Sequence, residues 1–200
     1  MDVMRLGAIF FSMVLVNNYV LVKFLGICPF LGVSKKLDSS VGMSAAVIFV
    51  MIMATAVTWP IDTYILQAND LTYLRTITFI LVIASLVQLV EIILKKYIPG
   101  LYNSLGVYLP LITTNCAILG VALLNVESGY NFVESIIGSL GAGVGFMLAM
   151  VIFTGVRSRV DQAKPPKCFE GLPITLVAAA LVALSFTGFG GIVESIFGAI

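Results

Sequence analysis

Apolar residues dominate this chain in six long segments, which short polar or charged stretches separate. A helix needs about 20 apolar residues to cross a hydrocarbon core about 30 Å thick. The six segments come close to this length or exceed it, and they run from about Met4 to Val33, Val41 to Trp59, Tyr73 to Leu94, Leu101 to Leu124, Phe132 to Val156 and Leu172 to Phe189. In lipid, only a helix satisfies the backbone hydrogen bonds of such a segment by itself. The pattern therefore predicts an all-α membrane protein with six transmembrane helices.

Charged residues and prolines indicate where some of these spans end. We expect Pro60 and Asp62 to end the second span, because proline lacks the backbone N–H that a helix interior uses. We expect Arg157 and Arg159 to end the fifth span, because charged side chains are costly within the hydrocarbon layer.

The basic residues lie mainly on one side of the predicted bundle. The loops after spans one, three and five hold eight of them: Lys35, Lys36, Lys95, Lys96, Arg157, Arg159, Lys164 and Lys167. The opposite side, which includes both termini, holds only Arg5 and Arg75. Cytoplasmic loops of membrane proteins carry an excess of lysine and arginine. We therefore expect these three loops in the cytoplasm and both termini outside.

Composition narrows the classes of function. The chain has 200 residues, of which 60% are hydrophobic and 10% charged, whereas soluble domains carry roughly 25% charged residues. It contains no histidine, so it has no histidine-ligated metal and no histidine acid–base pair. The net charge of +1 argues against a basic face for nucleic acid. No set of residues suggests a complete catalytic site within this chain.

One short motif occurs twice. The segments LGICPFLGV at 25–33 and TTNCAILGV at 113–121 share the pattern Cys-x-x-Leu-Gly-Val. Their cysteines, Cys28 and Cys116, are 88 residues apart (116 − 28), which is a little under half the chain. The spacing indicates an internal repeat that is centred on the two cysteines.

With three spans in each half, the two halves enter the membrane from opposite sides. This is an inverted repeat, with a pseudo-two-fold axis in the membrane plane. We expect all 200 residues to form one integral membrane domain, with repeat 1 at about 1–96 and repeat 2 at about 97–200. Gly26 and Pro29 in span one, and Pro110 in span four, predict broken helices around the cysteine motifs.

The paired cysteines allow two interpretations. Free cysteine is commonly a small, buried and inert core residue. Alternatively, the two thiolates ligate a soft metal centre, for which an iron–sulfur cluster, zinc and copper(I) are candidates. A [2Fe–2S] cluster needs four ligands, usually cysteines, and the repeat supplies two. Because Cys168 lies in a predicted cytoplasmic loop, the missing two ligands would come from another subunit.

Six polar residues near the cysteines are candidates for a supporting role: Asn17, Asn18, Lys23, Thr113, Thr114 and Asn115. Lys23 can extend its ammonium group to the membrane interface, or it can support a negatively charged cluster. Asparagine and threonine can join helices by hydrogen bonds. They can equally donate to cluster sulfurs or line an ion path, and the sequence leaves these roles open.

Three segments closely resemble the RnfA subunit family over nearly the whole chain: VNNYVLVKFLGICPFLGVSKKL, LPLITTNCAILGVALLN and, between them, YLRTITFILVIASLVQLVE. The sodium-pumping NADH:quinone reductase subunit NqrE is a more distant relative. The Cys-Pro-Phe-Leu-Gly wording at Cys28 resembles the Rnf branch more than the quinone-reductase branch.

The resemblance implies a subunit of a translocase in the prokaryotic cell (inner) membrane. Such complexes pass electrons between reduced ferredoxin and NAD and couple this transfer to Na⁺ or H⁺ movement. The resemblance further implies a [2Fe–2S] cluster shared with a homologous E subunit of inverted topology, and Cys28 and Cys116 match the ligand positions of the family to which RnfA gives its name. The other implied partners are the B, C, D and G subunits, which carry iron–sulfur clusters and flavins.

Three other functions stay open from the residues alone. An NqrE-type subunit would lack ferredoxin-oxidising partners. A secondary transporter shares inverted repeats and broken helices but needs no cofactor. A purely structural membrane subunit would anchor a complex without carrying a redox centre.

Overall fold

The computed structural model describes residues 3–34, 37–97, 111–112, 114–163, 166 and 169–188. These residues are helical or irregular, and none of them forms a strand. Seven α-helices occur among them: α1 (Val3–Phe11), α2 (Ile27–Val33), α3 (Leu37–Ile61), α4 (Arg75–Tyr97), α5 (Cys116–Glu127), α6 (Phe132–Gln162) and α7 (Leu172–Thr187). A π-helical turn extends α1 and α3, at Ser12–Val16 and Asp62–Leu66, and a 3₁₀ turn at Thr72–Leu74 precedes α4.

Three helical segments are long and apolar enough to cross a membrane: Leu37–Leu66, Thr72–Ile93 and Phe132–Val160, with 30, 22 and 29 residues. Three further apolar helices are shorter: Arg5–Val16, Cys116–Glu127 and Leu172–Thr187. Each of the six overlaps one of the apolar segments of the sequence. The all-helical membrane architecture is confirmed for the described residues, and three of the helices have the length of a full span.

The first apolar segment is broken, as its sequence predicts. Helical structure stops at Val16 and resumes at Ile27. Phe24 and Gly26 lie in this interruption with positive φ angles of 57° and 85°. Pro29 does not cause the break, because it lies in the first turn of α2, where a helix tolerates the missing N–H.

Asn18 stabilises the irregular stretch that follows α1. It is fully buried, and its Nδ2 donates to the carbonyl oxygens of Val14 and Gly145 over 3.2 and 2.9 Å. Its Oδ1 accepts from the backbone N–H groups of Val20 and Leu21. The side chain thus satisfies backbone groups that the broken helix would otherwise leave unpaired inside the protein.

The fourth apolar segment is also interrupted directly before its cysteine. Residues 111–112 are helical, Thr114 lies in a turn, and Asn115 has an extended backbone with φ −72° and ψ 110°. Helix α5 then begins at Cys116. Pro110, which the sequence suggests as the cause, lies outside the described residues.

Helices α3 and α6 form an antiparallel pair at the centre of the fold. Near one end, Ser40 Oγ and Thr154 Oγ1 are hydrogen bonded over 3.0 Å. Near the other end, Thr55 Oγ1 and Ser139 Oγ are hydrogen bonded over 2.6 Å. All four side chains are buried, and we call these contacts the α3–α6 hydroxyl pairs. The two serines are 99 residues apart (139 − 40), and so are the two threonines (154 − 55).

Glycines on α6 permit close approach of the neighbouring helices. A Cβ atom on Gly141 would lie 3.0 Å from the carbonyl oxygen of Phe10 in α1. A Cβ atom on Gly143 would lie 2.7 Å from Cγ1 of Ile48 in α3. Larger side chains at these positions would push α1 and α3 away from α6, so the glycines set the helix spacing.

The predicted end of the second span is wrong. Pro60 lies inside α3, where it costs the helix one backbone hydrogen bond without ending it. Asp62 is fully buried and lies in the π-helical turn that continues the helix. Its carboxylate accepts from Arg75 Nε over 2.6 Å and from Gln67 Nε2 over 2.7 Å. Because its charge is paired, Asp62 does not need to face water.

The predicted end of the fifth span is wrong as well, since α6 continues through Arg157 and Arg159 to Gln162. Arg157 Nη1 donates to the carbonyl oxygen of Leu31 and to Ser34 Oγ, over 2.5 and 2.7 Å. This guanidinium therefore satisfies the C-terminal end of α2, a position at which a positive charge is favourable. Arg159 is exposed.

Candidate functional site

The structure brings the two motif cysteines together. The backbone N–H of Gly26, two residues before Cys28, donates to Cys116 Sγ over 2.9 Å. Consecutive Cα atoms are about 3.8 Å apart, so the Cα atoms of Gly26 and Cys28 are within about 8 Å of each other. Both cysteines are free thiols and both are exposed. Two thiols from distant parts of the sequence therefore face outward from one region of the chain.

Gly26 is needed where the two cysteine segments meet. It has φ +85°, a conformation that L side chains rarely adopt. A Cβ atom here would lie 3.1 Å from both Ala117 Cβ and Phe146 Cε2, and 3.2 Å from Asn115 Oδ1. The absence of a side chain lets the backbone before Cys28 pack directly on the start of α5.

Apolar packing strengthens the contact between the two motifs. A Cβ atom on Gly120 of α5 would lie 2.5 Å from Cδ1 of Leu25, which immediately precedes Gly26. On α2, Phe30 is stacked on Phe153 of α6, with ring centroids 4.1 Å apart. The segment that carries Cys28 is thus held between α5 and α6.

Asn115 is the N-cap residue of α5. Its Oδ1 accepts from the backbone N–H of Ala117 over 3.0 Å, which satisfies one of the free donors at the helix start. The side chain is buried, with 4% of the residue exposed. Its Nδ2 is buried without a hydrogen-bond partner in the described part of the chain.

A cavity of about 320 Å³ lies beside Cys116. Its lining residues come from α4 and from the start of α5: Ile80, Ile83, Ala84, Thr114, Asn115, Cys116 and Leu119. The α4 side of the cavity is apolar, whereas the polar side chains and the thiol all belong to the turn before α5 and its first residue. The thiol of Cys116 therefore lies at the boundary between a polar turn and an apolar wall.

The other predicted site residues have different surroundings. Asn17 Nδ2 donates to Ser12 Oγ over 3.2 Å, and Asn18 uses its amide for backbone groups and for Gly145. The side chain of Lys23 is exposed. Thr114 is exposed in the turn before Asn115. Thr113 and Cys168 lie outside the described residues.

The described residues provide only part of a metal site. They contain no group of three or more His, Cys, Asp or Glu side chains that could hold a metal ion. Cys28 and Cys116 are two soft thiol ligands, whereas four-ligand iron–sulfur and zinc centres need four. The N–H group of Gly26 also favours the thiolate form of Cys116, because a donor stabilises negative charge on sulfur. The chemistry of these donors fits half of a thiolate-ligated centre.

Sequence reasoning missed the backbone N–H of Gly26 as a member of the site. From the sequence, Gly26 is only a helix breaker two residues before Cys28. Its position inside the first copy of the motif, with no glycine at the matching position 114, was the available clue that the first segment has a backbone role of its own.

Comparison with known proteins identifies the family. The profile of the family described as "Rnf-Nqr subunit, membrane protein" matches residues 6–193. The chain is 56% identical over 188 residues to the RnfA-type component of the Na(+)-translocating ferredoxin:NAD(+) oxidoreductase complex of Acetobacterium woodii, with 94% of this chain and 98% of that protein covered. It is 55% identical over 186 residues to the corresponding component of the ion-translocating oxidoreductase complex of Serratia proteamaculans, with 93% and 96% covered. The chain belongs to the Rnf-Nqr family of membrane protein subunits.

Proposed function

We propose that this chain is the RnfA component of an ion-translocating ferredoxin:NAD oxidoreductase complex, and that Cys28 and Cys116 hold one half of an intramembrane [2Fe–2S] cluster. The family match and the names of the similar proteins support membership of such a translocase. The observation that carries the cluster assignment is the hydrogen bond from Gly26 to Cys116 Sγ, which joins two exposed thiols at one surface. When bound, a [2Fe–2S] cluster supplies one-electron chemistry.

The exposure of both thiols supports shared ligation with a partner. A fully enclosed site would bury its ligands within this chain, whereas Cys28 and Cys116 face outward. A second chain can therefore approach them and contribute the remaining two ligands. A homologous E-type subunit is the proposed donor of those ligands, and the B, C, D and G subunits are the other proposed members of the complex.

An inverted repeat is the proposed origin of this arrangement, with halves at about 1–96 and 97–200 and six spans in total. The α3–α6 hydroxyl pairs support it, because one offset of 99 residues relates serine to serine and threonine to threonine. The cysteines are offset by 88 residues, which is 11 fewer (99 − 88). Helix α5 has 12 residues where α2 has 7, so part of this difference lies in the longer helix after the second cysteine.

Ion coupling is proposed to begin with a change of charge between Cys28 and Cys116. One added electron changes the charge there by one unit, at a place where apolar surroundings screen it poorly. Nearby dipoles can then rearrange, or a Na⁺ or H⁺ ion can enter to compensate the charge. An inverted repeat offers two alternative openings, one towards each side of the membrane.

Cysteine variants of the purified complex test the assignment. Cys28→Ser and Cys116→Ser should each remove the [2Fe–2S] signal from electron paramagnetic resonance spectra and abolish both ferredoxin-linked NAD reduction and ion uptake. Cys168→Ser should leave all three at the wild-type level. An assembled complex in which either ligand variant kept the wild-type signal and electron transfer would refute the proposal. A cofactor-free transporter would show no such signal in the wild type.

A further inference from the structure

Asn115 carries an unused hydrogen-bond donor at the cysteine site. Its Nδ2 atom is buried and has no partner in the part of the chain that the structure describes. A buried polar group without a partner costs about 1–3 kcal/mol, and the great majority of such groups in native proteins are paired. An acceptor from outside this chain would remove that cost.

The orientation of the Asn115 amide is fixed by its helix cap. Only the oxygen of the amide can accept from the N–H of Ala117, so Oδ1 is committed to the start of α5. Rotating the amide to use Nδ2 elsewhere would break this cap, which is worth about 1 kcal/mol. The two N–H groups of Nδ2 are therefore held in place without an internal acceptor.

The surroundings of Asn115 point to sulfur as the missing acceptor. Asn115 directly precedes Cys116, and both residues line the same cavity. Asn115 Oδ1 also lies 3.2 Å from the Cβ position of Gly26, whose N–H already donates to Cys116 Sγ. The remaining lining residues on α4, Ile80, Ile83 and Ala84, offer no side-chain acceptor.

We propose that Asn115 is a positioning residue whose Nδ2–H groups donate to sulfur of the centre held by Cys28 and Cys116, and that this donor raises the reduction potential of the centre. The inference rests on the proposed function. A donor near sulfur stabilises the more negative, reduced form more strongly than the oxidised form, and hydrogen bonds to sulfur are among the factors that set cluster potentials.

Two substitutions separate this role from helix capping. Asn115→Ser and Asn115→Asp both keep an oxygen at the N-cap, where serine and aspartate are favourable, and both remove the N–H donors. The matched control is Asn131→Ser, because Asn131 is the N-cap residue of α6 and accepts from no part of the cysteine site. The midpoint potential is measured by redox titration of the purified complex, followed by electron paramagnetic resonance.

We expect Asn115→Ser to shift the equilibrium between reduced and oxidised centre about three- to tenfold towards the oxidised form, where tenfold equals about 59 mV for one electron. Asn115→Asp should shift it further, because its carboxylate repels the added charge. In deuterated buffer, electron–nuclear double resonance should show an exchangeable proton coupling in the wild type that is lost in both variants. Asn131→Ser should leave the potential and the coupling unchanged.

Three results would overturn the inference. The first is a wild-type potential and proton coupling in both Asn115 variants at normal iron content. The second is loss of the centre in both variants, which would make Asn115 a structural residue. The third is a potential shift in Asn131→Ser as large as in Asn115→Ser. If the wild-type complex showed no centre dependent on Cys28 and Cys116, the proposed function itself would fail, and that failure is distinct from these three.

Discussion

The backbone N–H of Gly26 donates a hydrogen bond to Cys116 Sγ over 2.9 Å, and this contact joins two chain segments that are 90 residues apart. The bond depends on the interruption of the first helical segment, which frees the N–H from an intrahelical partner. It also depends on a glycine, because no other residue fits the close contact with Ala117 at φ +85°. The cysteine site is therefore preorganised by backbone geometry as well as by its thiols.

We expect Gly26→Ala to damage this site. The positive φ angle costs a non-glycine residue about 1–3 kcal/mol, and the new Cβ would lie 3.1 Å from both Ala117 and Phe146. The iron content of the purified complex and its thermal midpoint should both fall. Gly42→Ala on α3 is the control, because nothing lies within 4 Å of its Cβ position. Normal iron content in Gly26→Ala with an unchanged midpoint would contradict the role of this glycine.

The α3–α6 hydroxyl pair Thr55–Ser139 should contribute measurably to stability. A double-mutant cycle with Thr55→Val and Ser139→Ala is expected to give a coupling of about 0.6 kcal/mol, and not above about 1.7, as for other hydrogen bonds between membrane helices. Unfolding in detergent with increasing denaturant provides the measurement. Ser85→Ala is the control, because Ser85 is exposed and donates to Leu81 of its own helix.

The symmetry-related cycle with Ser40 and Thr154 should give a coupling of similar size, since both partners are equally buried hydroxyl groups. A coupling near zero in both cycles would show that these bonds do not hold α3 against α6.

The Asp62–Arg75 ion pair should matter more than the Arg5–Glu134 pair. The Asp62 side chain is 1% exposed and that of Arg75 is 20% exposed, whereas that of Arg5 is 62% exposed. Arg75→Met leaves a buried carboxylate without its cation, which costs up to about 3–5 kcal/mol. Arg5→Met removes a largely exposed partner and should cost about 0–1 kcal/mol. Equal losses of unfolding free energy in the two variants would contradict this ranking.

The apolar pattern and the cysteine motif predicted the helices and the pairing of Cys28 with Cys116. The pattern failed where a charge is paired internally, because a span was assumed to end wherever a charged residue appears. Asp62 stays buried through Arg75, and Arg157 stays within α6 through Leu31 and Ser34. Such pairings join residues that are distant in sequence, so hydropathy along the chain does not reveal them.

The hydroxyl pairs were missed for a different reason. A search for a repeat at the cysteine offset of 88 residues does not align Ser40 with Ser139, which are 99 residues apart. Only the contacts between α3 and α6 show which serine and threonine correspond. The orphan Nδ2 of Asn115 was equally inaccessible, because its significance depends on which atom caps α5.

Membrane orientation can be tested with single cysteine substitutions at two exposed positions. Asp38→Cys should react with membrane-impermeant maleimide only after the cytoplasmic side is opened, whereas Ser128→Cys should react in intact cells. The expectation follows from the excess of basic residues in the loops assigned to the cytoplasm. The unsubstituted chain gives the labelling background of its own cysteines. Labelling of Asp38→Cys but not Ser128→Cys in intact cells would reverse the orientation.

The last prediction concerns the isolated chain, which should not hold a stable [2Fe–2S] cluster. Cys28 and Cys116 are its two exposed thiols among the described residues, and no third ligand accompanies them there. With two of four ligands, bound iron would be open to solvent or detergent and would dissociate. Iron per chain should therefore be close to zero after purification of the chain alone.

Co-expression with a homologous E-type subunit should raise the iron content to about two per pair of chains, because a [2Fe–2S] cluster contains two iron atoms and takes four cysteine ligands. The matched control is co-expression of the same partner with the Cys28→Ser variant, which should form the pair of chains without the iron. A monodisperse isolated chain with two iron atoms and a stable cluster spectrum would refute shared ligation, because this chain would then supply all four ligands itself.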